Sequence, residues 1–451
     1  MDFNLLLVLP DINNKRILAR NANGIFYLPT YTESVAENVA FGDARAYNDF
    51  FQAITGIPVY RRYTFNTPND VVFVFEQIDN AQPKAEFDWV LYDDFIAACN
   101  ADEIAEIANN VRLHYNQSKA MPWIEYGFLP YFTWLRAVCD KNHIQITGDI
   151  TQLKNAYVST VFRIPTNMGD IYMKIPGKFF ITELLFTQGL KKLQIADLPH
   201  WIDYDIEMNV ILMKDMGGHD LPNESGAETL REVILHFAKI QKDSIPHMPP
   251  DFFHYDNTVD TMLGRLDAFP EKAFEILSGT KYELTQNELK RLQSQVLTTV
   301  SMLKSINAVP IPNTIHHGDV RPGNIRVIGG NHMFYDWAWG AVSHPFIDIV
   351  SFLHIIRRTL DEPAQETLID AYLQQWQNYD TYDQLRHAFS TLSTLKDLFF
   401  ALTDYDWCEA IHLQAGSVCA MSADGWLVDK RNYYVANVIR RFIETPLSTY
   451  E

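Results

Sequence analysis

The stretch from Ile315 to Trp337 constrains this chain more than any other. It runs Ile315-His316-His317-Gly318-Asp319-Val320-Arg321-Pro322-Gly323-Asn324-Ile325-Arg326-Val327, and Met333-Phe334-Tyr335-Asp336-Trp337 follows. An apolar approach, a polar loop with a Pro-Gly pair and a hydrophobic run predict strand, loop, strand. Asp319 and Asn324 stand five residues apart in the loop, and Asp336 closes the next strand twelve residues on. Taken singly, Asp319 fits a polar turn and Asp336 a cap. Taken in order, they make a chemical set. One carboxylate can orient or deprotonate a hydroxyl, while an amide oxygen and a second carboxylate can hold magnesium. Phosphoryl transfer uses such a set.

At 451 residues the chain can carry two or three domains, each with its own core. No apolar run is long enough to span a bilayer. The N-terminal Met1-Asp2-Phe3-Asn4-Leu5 lacks a basic flank and its apolar run is cut by Pro10-Asp11, so no secretory or membrane segment is expected. Cys99, Cys139, Cys408 and Cys419 are scattered without metal-ligand spacing and predict free thiols in a reducing compartment, the cytoplasm. A net charge of -19 disfavours nucleic acid or an anionic membrane as partner. It would suit a cationic substrate, and solubility alone also explains it. Nothing in the pattern fixes an oligomeric state.

Residues 1–140 read as a separate small α/β domain. Short strands are expected at Phe3 to Leu9, Arg16 to Arg20, Ile25 to Leu28, Val71 to Phe75 and Phe87 to Leu91. A helix is expected from Ser34 to Ile54, with Val39, Ala40, Ala44, Tyr47, Phe50, Phe51 and Ile54 at helical spacing and Gly56 as its stop. Another is expected from Ala101 to Tyr115. The order of strands, a Phe-Tyr-Leu-Pro segment, helix and Ile-Thr-Gly-Ile close resembles the Nudix hydrolase fold over about the first hundred residues. That family's magnesium-binding glutamates are replaced, since Ala53 and Ile54 precede Gly56 and the earlier acidic and basic positions hold Asp49 and Phe50. Such a domain is expected to be inactive. The aromatic crowd from Met121 to Trp134 predicts a hydrophobic staple between domains, with a ligand-stacking platform as the other reading.

Residues 141–220 change texture to alternating strands, Ile144 to Leu153, Val158 to Pro165 and Gly169 to Ile175. Lys174 near the end of the third is placed to reach phosphates, or is one more solvent-facing residue. Glu183 opens a helix running to Leu193, where it suits the helix dipole or pairs with Lys174. Asn209 to Leu221 is a buried-type strand entering a Gly-Gly turn, able to present backbone groups to a purine around Met213, Lys214 and Asp215. Residues 221–451 turn helical, with expected helices at Thr229–Ile240, Asn257–Phe269, Gln286–Ile306, Ala364–Trp376, Tyr382–Ala401 and Asn432–Ile443. Asp348 follows Pro345 at a helix start, where capping is natural.

Together these segments resemble the aminoglycoside phosphotransferase and choline kinase superfamily from about residue 144 to the C-terminus. The resemblance implies an α+β, protein-kinase-like two-lobed fold, with an antiparallel N-lobe over 141–220 and a helical C-lobe over 221–451. By it Asp319 is the catalytic base, and Asn324 and Asp336 hold Mg2+. Lys174, supported by Glu183, holds the phosphates of ATP, and Met213, Lys214 and Asp215 contact adenine. His317 and Asp348 brace the loop. The implied activity is transfer of the γ-phosphoryl group to a hydroxyl of a small molecule, such as an aminoglycoside, choline or a sugar. A catalytically silent nucleotide-binding module is the alternative. One departure concerns the turn Lys154-Asn155-Ala156-Tyr157, which has no glycine; Lys154 or the Asn155 side chain is expected to compensate there. Trp339 and Asp404-Tyr405-Asp406-Trp407-Cys408-Glu409 offer carboxylates and aromatic faces that could hold an amine, or form core.

Overall fold

A computed structural model describes residues 2–34, 43–156, 158–193, 198–247, 256–306, 309–415 and 423–447. The chain forms two compact units. One comprises Met1–Phe179, Trp201–Asp215 and Ala410–Lys430, the other Phe180–His200, Met216–Glu409 and Arg431–Glu451.

The first unit opens with strands β1 (Asp2–Val8), β2 (Pro10–Asp11), β3 (Arg16–Ala22), β4 (Ile25–Tyr27) and β5 (Thr30–Ser34). Helix α1 (Ala44–Thr55), strands β6 (Val59–Asn66), β7 (Asp70–Gln77) and β8 (Phe87–Leu91), and helices α2 (Tyr92–Ala98), α3 (Asp102–His114), α4 (Pro122–Glu125) and α5 (Leu129–Lys141) follow. One sheet runs β5-β1-β7-β6 with β1 and β7 parallel, and a second joins β2, β3, β4 and β8. Leu5, Leu7, Val71, Phe73 and Phe75 alternate onto a buried face, where α1 lays Phe51 against Phe75 at 4.8 Å and Tyr47 against Phe73 at 4.7 Å between centroids. Each such side chain, fully buried, contributes about 1.5–3 kcal/mol. The helix expected from Ser34 starts only at Ala44. Ser34 ends a strand opposite Asp2, and residues 35–42 lie outside the described residues. Gly56 does close α1, at φ +80°, its N–H donating to the Gln52 carbonyl at 2.8 Å.

This unit also holds a five-stranded antiparallel sheet: β9 (Thr151–Ala156), β10 (Ser159–Thr166), β11 (Gly169–Pro176), β12 (Trp201–Asp205) and β13 (Val210–Lys214), in the order β12-β13-β11-β10-β9. The first strand begins seven residues later than the one expected from Ile144 (151 − 144), so the turn falls after Ala156; Tyr157 lies outside the described residues. Side chains tie this sheet to β6 and α5. Tyr60, Phe128, Phe132 and Phe162 form one ring cluster with centroids 5.1–6.3 Å apart, all within this unit.

The second unit is mostly helical. It holds α6 (Ile181–Lys192), β14 (His219–Asp220), α7 (Ala227–Ser244), β15 (Asp256–Asn257), α8 (Val259–Leu266), α9 (Phe269–Leu277) and α10 (Gln286–Ile306). Strands β16 (Thr314–His316), β17 (Ile325–Ile328), β18 (Asn331–Phe334) and β19 (Ala341–Ser343) precede α11 (Phe346–Ile356), α12 (Glu362–Gln374) and α13 (Tyr382–Thr394), then α14 (Lys396–Ala415) and α15 (Ala423–Glu444), of which only residues 396–409 and 431–444 belong to this unit. Two helices expected to be continuous are broken, one after Leu266 and one at Leu395. Both halves of each pack on the same core, so the apolar period runs on through the break. The α+β class is as expected, with an antiparallel sheet in one unit and a helical second unit. Among the described residues, no helix is long and apolar enough to cross a membrane.

Candidate active site

Strand β16 pairs with β19 and delivers His316 to the start of a loop that ends at the short helical turn Pro322–Asn324. The loop is held from outside by one carboxylate. Asp348, in the first turn of α11 and fully buried, accepts the His317 N–H at 2.9 Å on Oδ2 and the Gly318 N–H at 2.9 Å on Oδ1. His316 Nδ1 lies 3.1 Å from the same Oδ2. Burial alone would raise the Asp348 pKa, but His316, His317 and the loop N–H hold it below the usual value. Capping of α11, the role its position suggests, is thus not what this side chain does: its oxygens go to the loop.

Gly318 sits at φ +79°, and a Cβ there would come within 2.4 Å of the Trp339 Cβ. Both the backbone angle and the close approach demand glycine. His317 is buried on Trp337, ring centroids 4.5 Å apart. Its Nδ1 accepts the Asp319 N–H at 3.3 Å, so Nε2 carries the proton and donates to the Tyr335 carbonyl at 2.9 Å. Burial lowers its pKa against the pull of Asp348 and Asp319, which keeps this neutral tautomer.

Two of the expected residues meet in the loop, and a third, Asp336, acts on them electrostatically from beyond β18. Asn324 Nδ2 donates to both the Asp319 carbonyl at 2.8 Å and its Oδ2 at 2.9 Å. Asn324 is buried and its amide nitrogen is committed, so its oxygen is the atom left to serve a cation. Desolvation raises the Asp319 pKa and Asp336 adds to the rise, while Arg321, Nε 3.1 Å from Oδ2, opposes it. Asp336 has φ +64°, uncommon outside glycine, two residues past the end of β18. Two mutually repelling carboxylates beside a fixed amide oxygen are hard donors of the kind magnesium takes. Among the described residues no cluster of three or more His, Cys, Asp or Glu could hold a metal by itself, so phosphate or water oxygens would complete the shell.

The remaining expected residues divide between the units. Lys174 lies in β11 opposite Ile211, and Tyr172 opposite Met213, so Lys174 and Met213 share one face of the sheet. Lys214 ends β13 and is exposed. Asp215 follows it, its N–H donating to the Asp170 carbonyl at 3.2 Å. Glu183 belongs to the second unit, in the first turn of α6, and is only 5% exposed. A carboxylate buried that deeply needs more than a helix dipole. Asn155 does not face solvent to help a phosphate. It is buried, its Nδ2 donating to the Arg61 and Arg62 carbonyls at 2.6 and 3.3 Å, while Arg61 Nη2 donates to the Asn155 carbonyl at 3.0 Å.

Several contacts were not foreseen. Arg321 contacts the Asp319 carboxylate, Trp339 backs Gly318, and His316 shares Asp348. Trp339 also packs edge-on to Phe180 at 5.0 Å and Trp407 at 5.3 Å. The carboxylates near Trp407 are engaged already. Asp404 lies 3.6 Å from Arg431, whose guanidinium covers the Trp407 ring at 3.7 Å, Asp406 pairs with Arg265, and Glu409 accepts from the Tyr405 hydroxyl at 2.6 Å. The cation on that aromatic face is the chain's own. The doubled histidine and the arginine two residues after Asp319 were the available signals for His316 and Arg321; nothing local pointed to Arg431.

Residues 179–387 match the phosphotransferase enzyme family. Among solved structures, a choline kinase from Cryptosporidium parvum Iowa II is 12% identical, covering 69% of this chain and 96% of its own, with a TM-score of 0.47. The choline kinase LicA from Streptococcus pneumoniae is 13% identical, covering 68% and 99%, TM-score 0.43. The ADP-bound aminoglycoside phosphotransferase APH(2'')-Ib is 13% identical, covering 68% and 98%, TM-score 0.44. No curated protein matches the chain.

Proposed function

We propose, for a chain whose residues 179–387 belong to the phosphotransferase enzyme family, that it transfers the γ-phosphoryl group of ATP to a hydroxyl of a small molecule. The observation that carries this reading is the Asp319–Asn324 pair, held by two hydrogen bonds with Asp336 close enough to act on Asp319.

In this reading Asp319 accepts the proton of the attacking hydroxyl and aims it at phosphorus. Its raised pKa brings it nearer the strength a general base needs at neutral pH. Asn324 orients that carboxylate through its amide nitrogen. Asn324 and Asp336 would hold magnesium, which when bound neutralises charge on the phosphates. Asp348 and His317 position the loop backbone. Lys174 serves the phosphates with Glu183 in support, and the Met213–Asp215 segment lines the adenine. The acids near Trp407 are satisfied by arginines, so an amine is not favoured at that place over a neutral hydroxyl compound.

ADP release from ATP, scored over a panel of alcohols with and without magnesium, tests the reading. Asp319→Asn should keep nucleotide-dependent thermal stabilisation while turnover falls by roughly 10²- to 10⁴-fold. Undiminished turnover in that variant, or release indifferent to chelation, would sink the assignment.

A further inference from the structure

A cleft of about 710 Å³ lies in the first unit, walled by α1, the start of β6, the residues after β7 and the segment leading into β9. That volume is ordinary for a small-molecule site. None of the residues assigned above to phosphoryl transfer lines it.

The cleft holds an acceptor that lacks a donor. Gln152 is fixed by reciprocal bonds with the backbone of Arg61: the Arg61 N–H donates to Oε1 at 2.8 Å, and Nε2 donates to the Arg61 carbonyl at 2.9 Å. Oε1 can therefore only accept, and Asn48 must turn Nδ2 toward it, at 3.0 Å. The assignment of the Asn48 amide follows from the network. Its Oδ1 then has no partner among the described residues, although Asn48 is only 7% exposed. A buried acceptor left this way is costly, and a donor from an occupant would recover that cost.

The charges on the walls say more about the occupant. Arg136 makes no hydrogen bond or ion pair with any described residue, whereas Arg45 is taken by Asp43. Asp49, Asp79 and Asp149 also line the cleft and form no ion pair with described residues. Arg136 and Asp149 both act on the Tyr60 hydroxyl, in opposite senses, so both charges stand near that group. A fitting ligand carries one anionic group, for the guanidinium, and more than one cationic donor, for the carboxylates and the Asn48 oxygen. We propose that this cleft binds a dibasic amino acid, its carboxylate on Arg136 and its amino groups on Asp149, Asp49 and Asn48.

Calorimetry on the full chain with L-lysine, in the absence of nucleotide, tests this independently of any phosphotransferase activity. Arg136→Ala and Asp149→Asn change exposed side chains and should leave folding intact. L-Lysine should bind the parent chain. Losing one charge-assisted hydrogen bond, about 1.5–3 kcal/mol, should weaken that binding roughly tenfold or more in Arg136→Ala. Cadaverine, which has both amines and no carboxylate, should bind the parent chain more weakly than L-lysine and be indifferent to Arg136→Ala, while Asp149→Asn should weaken both ligands. No heat with millimolar L-lysine, equal affinity in the parent and Arg136→Ala, or equal binding of L-glutamate would each overturn the proposal.

Discussion

The loop after β16 and the end of β9 are both held by a buried ion from elsewhere in the sequence, and the two ions have opposite charge. In the second unit Asp348 accepts two loop N–H groups. In the first unit Arg61, wholly buried with its pKa lowered by burial to about 10, donates to the Asn155 carbonyl and lies over the Phe73 ring at 4.8 Å. The difference lies in what each arrangement leaves over. Asp348 spends its oxygens on the loop N–H groups and on His316, so the side chains of Asp319 and Asn324 are not consumed in holding the loop. At β9 the clamp also consumes the Asn155 amide, so the end of this strand offers no side-chain donor from that residue. Backbone is held by a buried ion in both places, and side-chain atoms are left over in one of them.

The strongest way to break that contrast is to remove the anion. Asp348→Ala strands two buried N–H groups together with His316, and should cost about 3–5 kcal/mol in urea unfolding, the range for breaking a buried charge pair. The pH dependence follows from the lowered pKa. A depressed carboxylate contributes fully above its unfolded value, about 3.9, and loses that contribution as pH falls through the folded value. The stability difference between parent and Asp348→Ala should therefore be constant near neutrality and shrink on acidification. A difference that does not vary with pH would mean the carboxylate is not what holds the loop.

Removing the cation should do less. Arg61→Met keeps the packing against Phe73 and relieves a buried charge, while it forfeits the bond to the Asn155 carbonyl. About 1.5–3 kcal/mol is at stake in a charged hydrogen bond, and the net loss should fall at or below the lower end. If the turn meets phosphate through its backbone, KM for ATP should rise with kcat nearly unchanged. A fall in kcat alone would place the effect elsewhere.

The contrast also explains what could be read from the residues in order. The Asp319–Asn324 contact was legible because the loop that joins the two is local, and their spacing sets the geometry. Lys174 and Met213 were legible as strand residues, but the register that sets them on one face follows from the fold. The fate of Asn155 was not, since its partners lie 93 and 94 residues away. For the same reason Arg431 on Trp407 was invisible: a carboxylate-rich aromatic segment looks open until a distant arginine occupies it. Helix ends failed where tertiary pairing overrode local pattern, as at Ser34, or where two helices share one core, as at Leu395.

The smallest effect is the sharpest probe of the loop. Arg321 is partly exposed, and an exposed pair is worth about 0–1 kcal/mol, so Arg321→Gln should barely change stability. It should still change the pH profile. Asp319 must be unprotonated to accept a proton, and desolvation and Asp336 raise its pKa while Arg321 is the foremost opposing influence. The acid limb of kcat/KM should therefore lie above the ordinary carboxylate range in the parent and move further up in Arg321→Gln, with the two profiles converging at high pH. A uniform loss at every pH would instead make Arg321 a substrate contact, and profiles that superimpose would mean Asp319 is not the group whose ionisation limits the rate.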